Sequence, residues 1–130
     1  MDTPVLTAAT FDQADLLAAI DGMDDAALDE LPFGVIGIDR EGIARRYSAT
    51  ESRLAGLRPE RVVGMNFFGA VAQCMNNERV SGRFEACLAD GSSLDVTLDY
   101  VLTLRMKPTK VKMRLLAGPA HAMRYVCILR

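Results

Sequence analysis

Apolar and polar positions alternate along the last third of the chain. Leu94, Val96, Leu98, Tyr100, Leu102 and Leu104 occupy every second position, the period of a strand with one buried face, and predict a long strand over 94–104. The same alternation in Val111, Met113 and Leu115 predicts a strand over 109–116, and the apolar run 123–129 predicts a last one. Stretches rich in turn residues separate them at 90–93, 105–108 and 117–120. Nearer the N-terminus, the apolar runs 33–39 and 43–47 flank Arg40-Glu41-Gly42 and read as a hairpin.

Elsewhere the period is helical. Phe11, Ala14, Leu17 and Ala18 share one face of a helix over 11–20, with Asp12 placed near its free N–H groups. Gly22 breaks the pattern, and Asp24 caps a second short helix over 23–31. Faces this narrow do not stand alone. They predict an N-terminal helical cap, residues 1–31, lying on a core of residues 32–130 within one domain. After the hairpin, Ser48 followed three residues later by Glu51 is a capping-box signature, and the short helix it opens stops at Gly56. Pro59 opens a further helical turn that ends at Gly64. The run 64–75 is the densest apolar segment in the middle of the chain, and it delivers Cys74 into the polar loop Asn76-Asn77-Glu78. Val80, Phe84, Cys87 and Leu88 predict a helix over 78–88. Two strands, a helical middle and three strands make an α+β fold: a five-stranded antiparallel sheet with helices packed on one side and the N-terminal helical cap.

The composition narrows the function. At 130 residues, half hydrophobic and a quarter charged, the chain is an ordinary globular domain that needs no staple. Its net charge is -2, and the one basic run, 107–114, alternates with Thr, Val, Met and Leu as a half-wet strand does. No clustered basic face points to nucleic acid or an anionic membrane. No apolar run reaches the ~20 residues of a membrane span, and the acidic N-terminus has no signal-peptide pattern. Three cysteines without regular spacing read as reduced thiols, hence a cytoplasmic protein. Cys87 and Cys127 fall on apolar faces and read as core. The single histidine, His121, lies in a turn far along the chain, which argues against a Cys–His dyad, and no C-x-x-C pair offers a zinc site. The chain is not expected to be an enzyme. Taken singly, Cys74 would be a buried small hydrophobe, Tyr47 a strand-end tyrosine, Met106 a gap filler, and Glu51 a carboxylate bonding back to the Ser48 N–H.

Their joint occurrence changes that. The segments MDDAALDELPFGVIGIDREGIARRYSATE (23–51), VVGMNFFGAVAQC (62–74), SGRFEACLADG (81–91) and MKPTKVKM (106–113) follow in an order and at nearly a spacing that resembles the photoactive yellow protein family, a branch of the PAS fold. The Gly-x-Asn-Phe-Phe…Val-Ala-x-Cys block is the specific part. The resemblance implies a covalent chromophore, 4-hydroxycinnamic (p-coumaric) acid, joined to Cys74 as a thioester. It implies that Tyr47 and a protonated Glu51 donate hydrogen bonds to the chromophore phenolate and that Met106 packs beside it. It further places Ala55, Leu57, Phe67 and Val71 at the chromophore.

The expected function is that of a blue-light photoreceptor, or the photosensory module of a larger signalling protein. A buried phenolate needs charge-assisted donors, and Glu51 donates only if burial has raised its pKa enough to keep it protonated. Light-driven trans–cis isomerisation then takes the phenolate from its donors. Glu51 gives up its proton and is stranded as a buried carboxylate, and the weakly held segment 1–31 is released as the signal. Three positions depart from the family pattern: Ala55 replaces a threonine that supports the tyrosine, Leu57 an arginine gate, and Leu104 a tyrosine. The loss at Ala55 predicts a larger share of protonated, shorter-wavelength chromophore in the dark. A downstream signalling partner or a fused output domain is expected, with the open sheet face and the N-terminal segment as candidate surfaces and a homodimer as a candidate assembly. The alternative is a PAS ligand-sensing or dimerisation module without a covalent chromophore. An Asn-Cys-Arg-Phe flavin motif is absent, and His121 is poorly placed for haem.

Overall fold

The computed structural model describes residues 9–103 and 107–130. Five strands form one antiparallel sheet: β1 (Gly34–Ile38), β2 (Ala44–Tyr47), β3 (Leu94–Leu102), β4 (Thr109–Ala117) and β5 (Arg124–Leu129). Their order across the sheet is β2-β1-β5-β4-β3. The chain therefore lays down a hairpin at one edge and crosses to the other through its helical middle. It then returns, so that the last strand pairs with the first at the centre, Gly34 opposite Ile128 and Ile36 opposite Val126. Two short helices, α1 (Leu16–Asp21) and α2 (Asp25–Asp29), precede the sheet, and α3 (Ala49–Ala55) and α4 (Ser81–Asp90) lie in the crossover.

Strand parity sorts the core onto two faces. Ile36, Ile38, Met113, Leu115, Val126 and Ile128 point to one face. There they meet Tyr47 from the end of β2 and Val62, Phe67, Met75 and Phe84 from the crossover. Val35, Leu116, Tyr125 and Cys127 point to the other and meet Phe11, Leu16, Ile20, Leu28 and Leu31. The N-terminal cap thus sits on the face opposite the crossover helices. Both faces of β1 and β5 are covered, which accounts for the unbroken burial of β1. The outer face of β3 stays open at Asp95, Thr97, Asp99 and Val101.

The elements follow the expected pattern, with local differences. The first helix starts at Leu16, not at residue 11, because the chain before it bends in turns and Asp15 supplies no side-chain cap. Asp24 does cap α2, accepting from the Ala27 N–H at 2.8 Å. The strand expected over 94–104 is observed to Leu102, and Leu104 lies outside the described residues, as do residues 1–8. The run 64–75 is neither helix nor strand. It holds a π-helical turn, Phe67–Val71, and a 3₁₀ turn, Gln73–Met75.

Candidate functional site

Two arms build the site on the crossover face. The first is the end of β2 and the start of α3. The Ser48 hydroxyl caps α3, accepting from the Glu51 N–H at 3.2 Å and also from the Val35 N–H at 3.0 Å. The reciprocal half of the capping box does not form. The Ser48 N–H is taken by the Val35 carbonyl at 3.0 Å, which leaves the Glu51 carboxylate free to point elsewhere. It points inward and is 1% exposed.

What receives it is Arg130. Arg130 Nη1 donates to Glu51 Oε1 at 2.7 Å and Nη2 donates to Oε2 at 3.1 Å, a two-bond fork. Room for the carboxyl comes from Gly34: a Cβ there would overlap Glu51 Oε1 and come within 3.0 Å of its Cβ and Cδ. Arg130 reaches the same spot because it follows Ile128 by two residues, and β5 turns even-numbered side chains to this face. Burial pushes the Glu51 carboxyl up from its ordinary value, and the Arg130 hydrogen bonds and charge oppose it without cancelling it. Tyr47 is also buried. Burial first, and then the Glu51 negative charge, hold its phenol well above the ordinary value, so it stays a neutral O–H donor.

The second arm is the run 64–75. Gly64 takes φ +91, and Gly64 N–H donates to the Ala44 carbonyl while the Ala44 N–H donates back to Met65, which ties the run to β2. Asn66 Oδ1 accepts from the Gly69 N–H at 2.8 Å and opens the π-helical turn. Phe67 and Phe68 meet edge to face at 5.2 Å, and Phe68 packs on Phe84 at 6.1 Å. These contacts give the Gly-x-Asn-Phe-Phe motif a physical meaning: a reversed backbone, a cap and two anchors. The following turn presents Cys74 half-buried, its carbonyl accepting from Tyr100 Oη at 2.6 Å and Asn77 Nδ2 at 3.2 Å.

Tyr47 and Phe67 are members of the crossover-face cluster, and Leu57, Val71 and Cys74 pack against it. Ala55 is buried at the end of α3. Leu57 and Val71 also line an open groove of about 360 Å³ with Arg58, Arg61 and Met65. Met106 lies outside the described residues. The other two thiols are differently placed. Cys127 is fully buried on the cap face, its pKa pushed up to about 12 by burial, and Cys87 lines a separate cleft with Arg124 and His121. Of the three thiols, Cys74 is the half-buried one that packs against the crossover-face cluster. A half-buried thiol against an apolar, aromatic cluster is chemistry that suits a tethered aromatic acid, while the Glu51 carboxyl is already engaged by Arg130.

Three contributors escaped the sequence reading. Gly34 carried a signal, since glycine inside a strand marks a close approach. Tyr100 was visible only as a strand residue. Arg130 had no signal at all, because its partner is 79 residues away and only register brings them together.

A family model described as the PAS fold matches residues 22–130. The chain is 40% identical over 105 residues to the photoactive yellow protein of Rhodothalassium salexigens, which covers 81% of this chain and 83% of that protein. It is 37% identical over 105 residues to the photoactive yellow protein of Halochromatium salexigens, with the same coverage. Among solved structures, the photoactive yellow protein domain of the sensor histidine kinase Ppr from Rhodospirillum centenum superposes with a TM-score of 0.78 at 40% identity, over 87% of this chain and 98% of that one. The PAS domain of an HTR-like protein from Haloarcula marismortui shares the fold at 13% identity, with a TM-score of 0.61 over 91% of this chain and 98% of that one.

Proposed function

The chain belongs to the photoactive yellow protein family of PAS-fold proteins, and on that premise we propose that it is a blue-light photosensory module that carries p-coumaric acid as a thioester on Cys74. The observation that supports this most is one half-buried thiol, Cys74, packed against the crossover-face cluster that includes Tyr47 and Phe67, with Leu57 and Val71 packed on the same cluster. The group, when bound, supplies visible absorption and a double bond that light isomerises. The chain's own residues do the rest. Cys74 forms the tether by displacing the leaving group of an activated acid. Tyr47, kept neutral by burial, donates its O–H to the phenolate end. Glu51, whose carboxyl burial has already moved toward the protonated form, is the proton source. Ala55 brings no hydroxyl to support Tyr47, so the visible band should titrate at higher pH than in an Ala55→Thr variant.

The signal has a physical route to the N-terminal cap. Asp29 Oδ1 accepts from the Ala49 N–H at 2.7 Å and Thr50 Oγ1 donates to the Leu31 carbonyl at 2.6 Å, so the cap is bonded to the first turn of the helix that carries Glu51. A shift of α3 therefore loosens the segment that precedes β1. The output is a downstream partner or a fused domain, in keeping with a relative that is the photoactive yellow protein domain of a sensor histidine kinase. No helix among the described residues is long and apolar enough to cross a membrane.

The test is reconstitution of the full chain with activated p-coumaric acid. The protein should turn yellow, gain the mass of one thioester-linked group and bleach in blue light, and Cys74→Ala should do none of these. A colourless wild type with unchanged mass would leave the PAS ligand-sensing reading in its place.

A further inference from the structure

We propose that Arg130 is the counter-cation of Glu51, catching the carboxylate whenever Glu51 has given up its proton and letting go when Glu51 regains it. The pocket's proton would thereby be coupled to the end of β5. The proposal rests on the reading of Glu51 as the proton source and adds where the resulting charge goes.

The geometry makes the two states exclusive. A guanidinium has only donors, so it can hold both oxygens of a carboxylate but not the hydroxyl oxygen of a carboxylic acid that keeps its own O–H for another acceptor. Arg130 holds both, at 2.7 and 3.1 Å. Protonation of Glu51 therefore costs at least one of those bonds and frees the acid O–H to serve the pocket. Loss of the proton restores the fork. The arrangement is built into the backbone, because Gly34 is what leaves room for Glu51 Oε1 in this pose.

Few other groups compete. Among the described residues, the charged or titratable groups that act on Glu51 and its surroundings are Arg130, from the end of β5, and Tyr47, from β2. Tyr47 stays neutral, so among the described residues Arg130 is the one compensating charge. The expectation of a carboxylate stranded in an apolar pocket is replaced by a different picture. The carboxylate is paired, and what changes between the two states is the position of the Arg130 head group. At 17% exposed, the arginine side chain is close enough to solvent to move without opening the core.

The experiment follows the carboxylic-acid C=O stretch of Glu51 by infrared spectroscopy during a pH titration of the colourless full-length protein. Glu51→Gln identifies the band. Arg130→Gln should move the titration upward by at least about one pH unit, a tenfold gain in proton affinity. Arg130→Lys, which keeps the charge and loses the fork, should fall between. In the pigment-loaded protein, Arg130→Gln should change the lifetime of the bleached state about tenfold or more. Identical Glu51 titrations in wild type, Arg130→Gln and Arg130→Lys would overturn the proposal. A failure of Cys74 to take up pigment would overturn the proposed function instead, since the titration of the colourless protein does not depend on it.

Discussion

The two faces of the sheet are held in different ways. On the crossover face, aromatic and aliphatic side chains form the larger cluster, and the polar links include Glu51 with Arg130, the Ser48 hydroxyl with the Val35 N–H, and Tyr100 Oη with the Cys74 carbonyl. On the cap face, a smaller apolar centre is ringed by polar pins. Arg46 donates to the carbonyls of Ile20 and Met23, to Asp25 and to Tyr125 Oη. Arg114 donates to the carbonyls of Phe11 and Gln13 and makes a two-bond fork with Asp95. Tyr125 Oη donates to Asp21 at 2.7 Å, and the other oxygen of Asp21 meets His121 Nδ1 at 2.7 Å. A face held by packing yields only with the whole domain. A face held by several separate polar contacts can open in part, which suits a segment that has to detach.

The sharpest way to break this contrast is to cut the same side chain on each face. Phe84→Ala and Phe33→Ala each remove a ring that is 1–2% exposed, and each should cost about 3–5 kcal/mol. The readout that separates them is amide exchange. Phe84→Ala should raise exchange throughout the sheet. Phe33→Ala, which loses its edge contact with Phe11, should raise it first over residues 16–31. Uniform exchange in both variants would remove the distinction.

Next in size is Arg46→Ala, which removes a donor from the Ile20 and Met23 carbonyls together with the bonds to Asp25 and Tyr125, and should cost about 2–3 kcal/mol in denaturant unfolding. Arg46→Lys should recover only part of this, because an ammonium does not reproduce the fork.

Acid should then act on the two faces with opposite sign. Glu51 is raised in the folded protein, burial being the cause that outweighs Arg130. The folded state binds that proton more tightly than the unfolded chain, so its contribution is full below the unfolded value and is lost as pH rises through the folded one. Asp21 is lowered: burial pushes it up, but the bonds from His121 and Tyr125 and the charges of His121 and Arg46 together outweigh burial. Its contribution is present above the unfolded value and is lost as pH falls through the folded one. Melting temperature measured against pH should therefore rise on mild acidification and fall in stronger acid. Glu51→Gln should abolish the rise and Asp21→Asn should blunt the fall. A rise that survives in Glu51→Gln would assign it to another group. The smallest effect is His121→Ala, about 1 kcal/mol or less near neutral pH, because the pair it breaks is a quarter exposed and screened by salt.

Local chemistry was readable along the chain wherever its cause is local. Alternation at 94–102 and 109–117 marked two strands because side chains in a strand change face at every residue. Ser48 marked the start of α3 because a hydroxyl there meets an N–H three residues on, and it does, at 3.2 Å. The segments around Tyr47, Glu51 and Cys74 carry the resemblance to the family and mark the candidate site. The expected fold was correct in class and strand number, and the added fact is that the cap lies on the opposite face from the crossover helices.

Other features depended on where distant segments meet. His121 and Asp21 are 100 residues apart, and Arg130 and Glu51 are 79 apart. No periodicity encodes such pairs: the first needs α1 packed on the turn before β5, and the second depends on the register of β5 against β1 and the face to which it turns each side chain. The Glu51 side chain shows the division most clearly. Its place at the third residue of α3 follows from the capping signature, but the choice between Ser48 and Arg130 as its partner was made by the sheet. Val35 took the Ser48 N–H, Gly34 left the space, and β5 delivered the arginine.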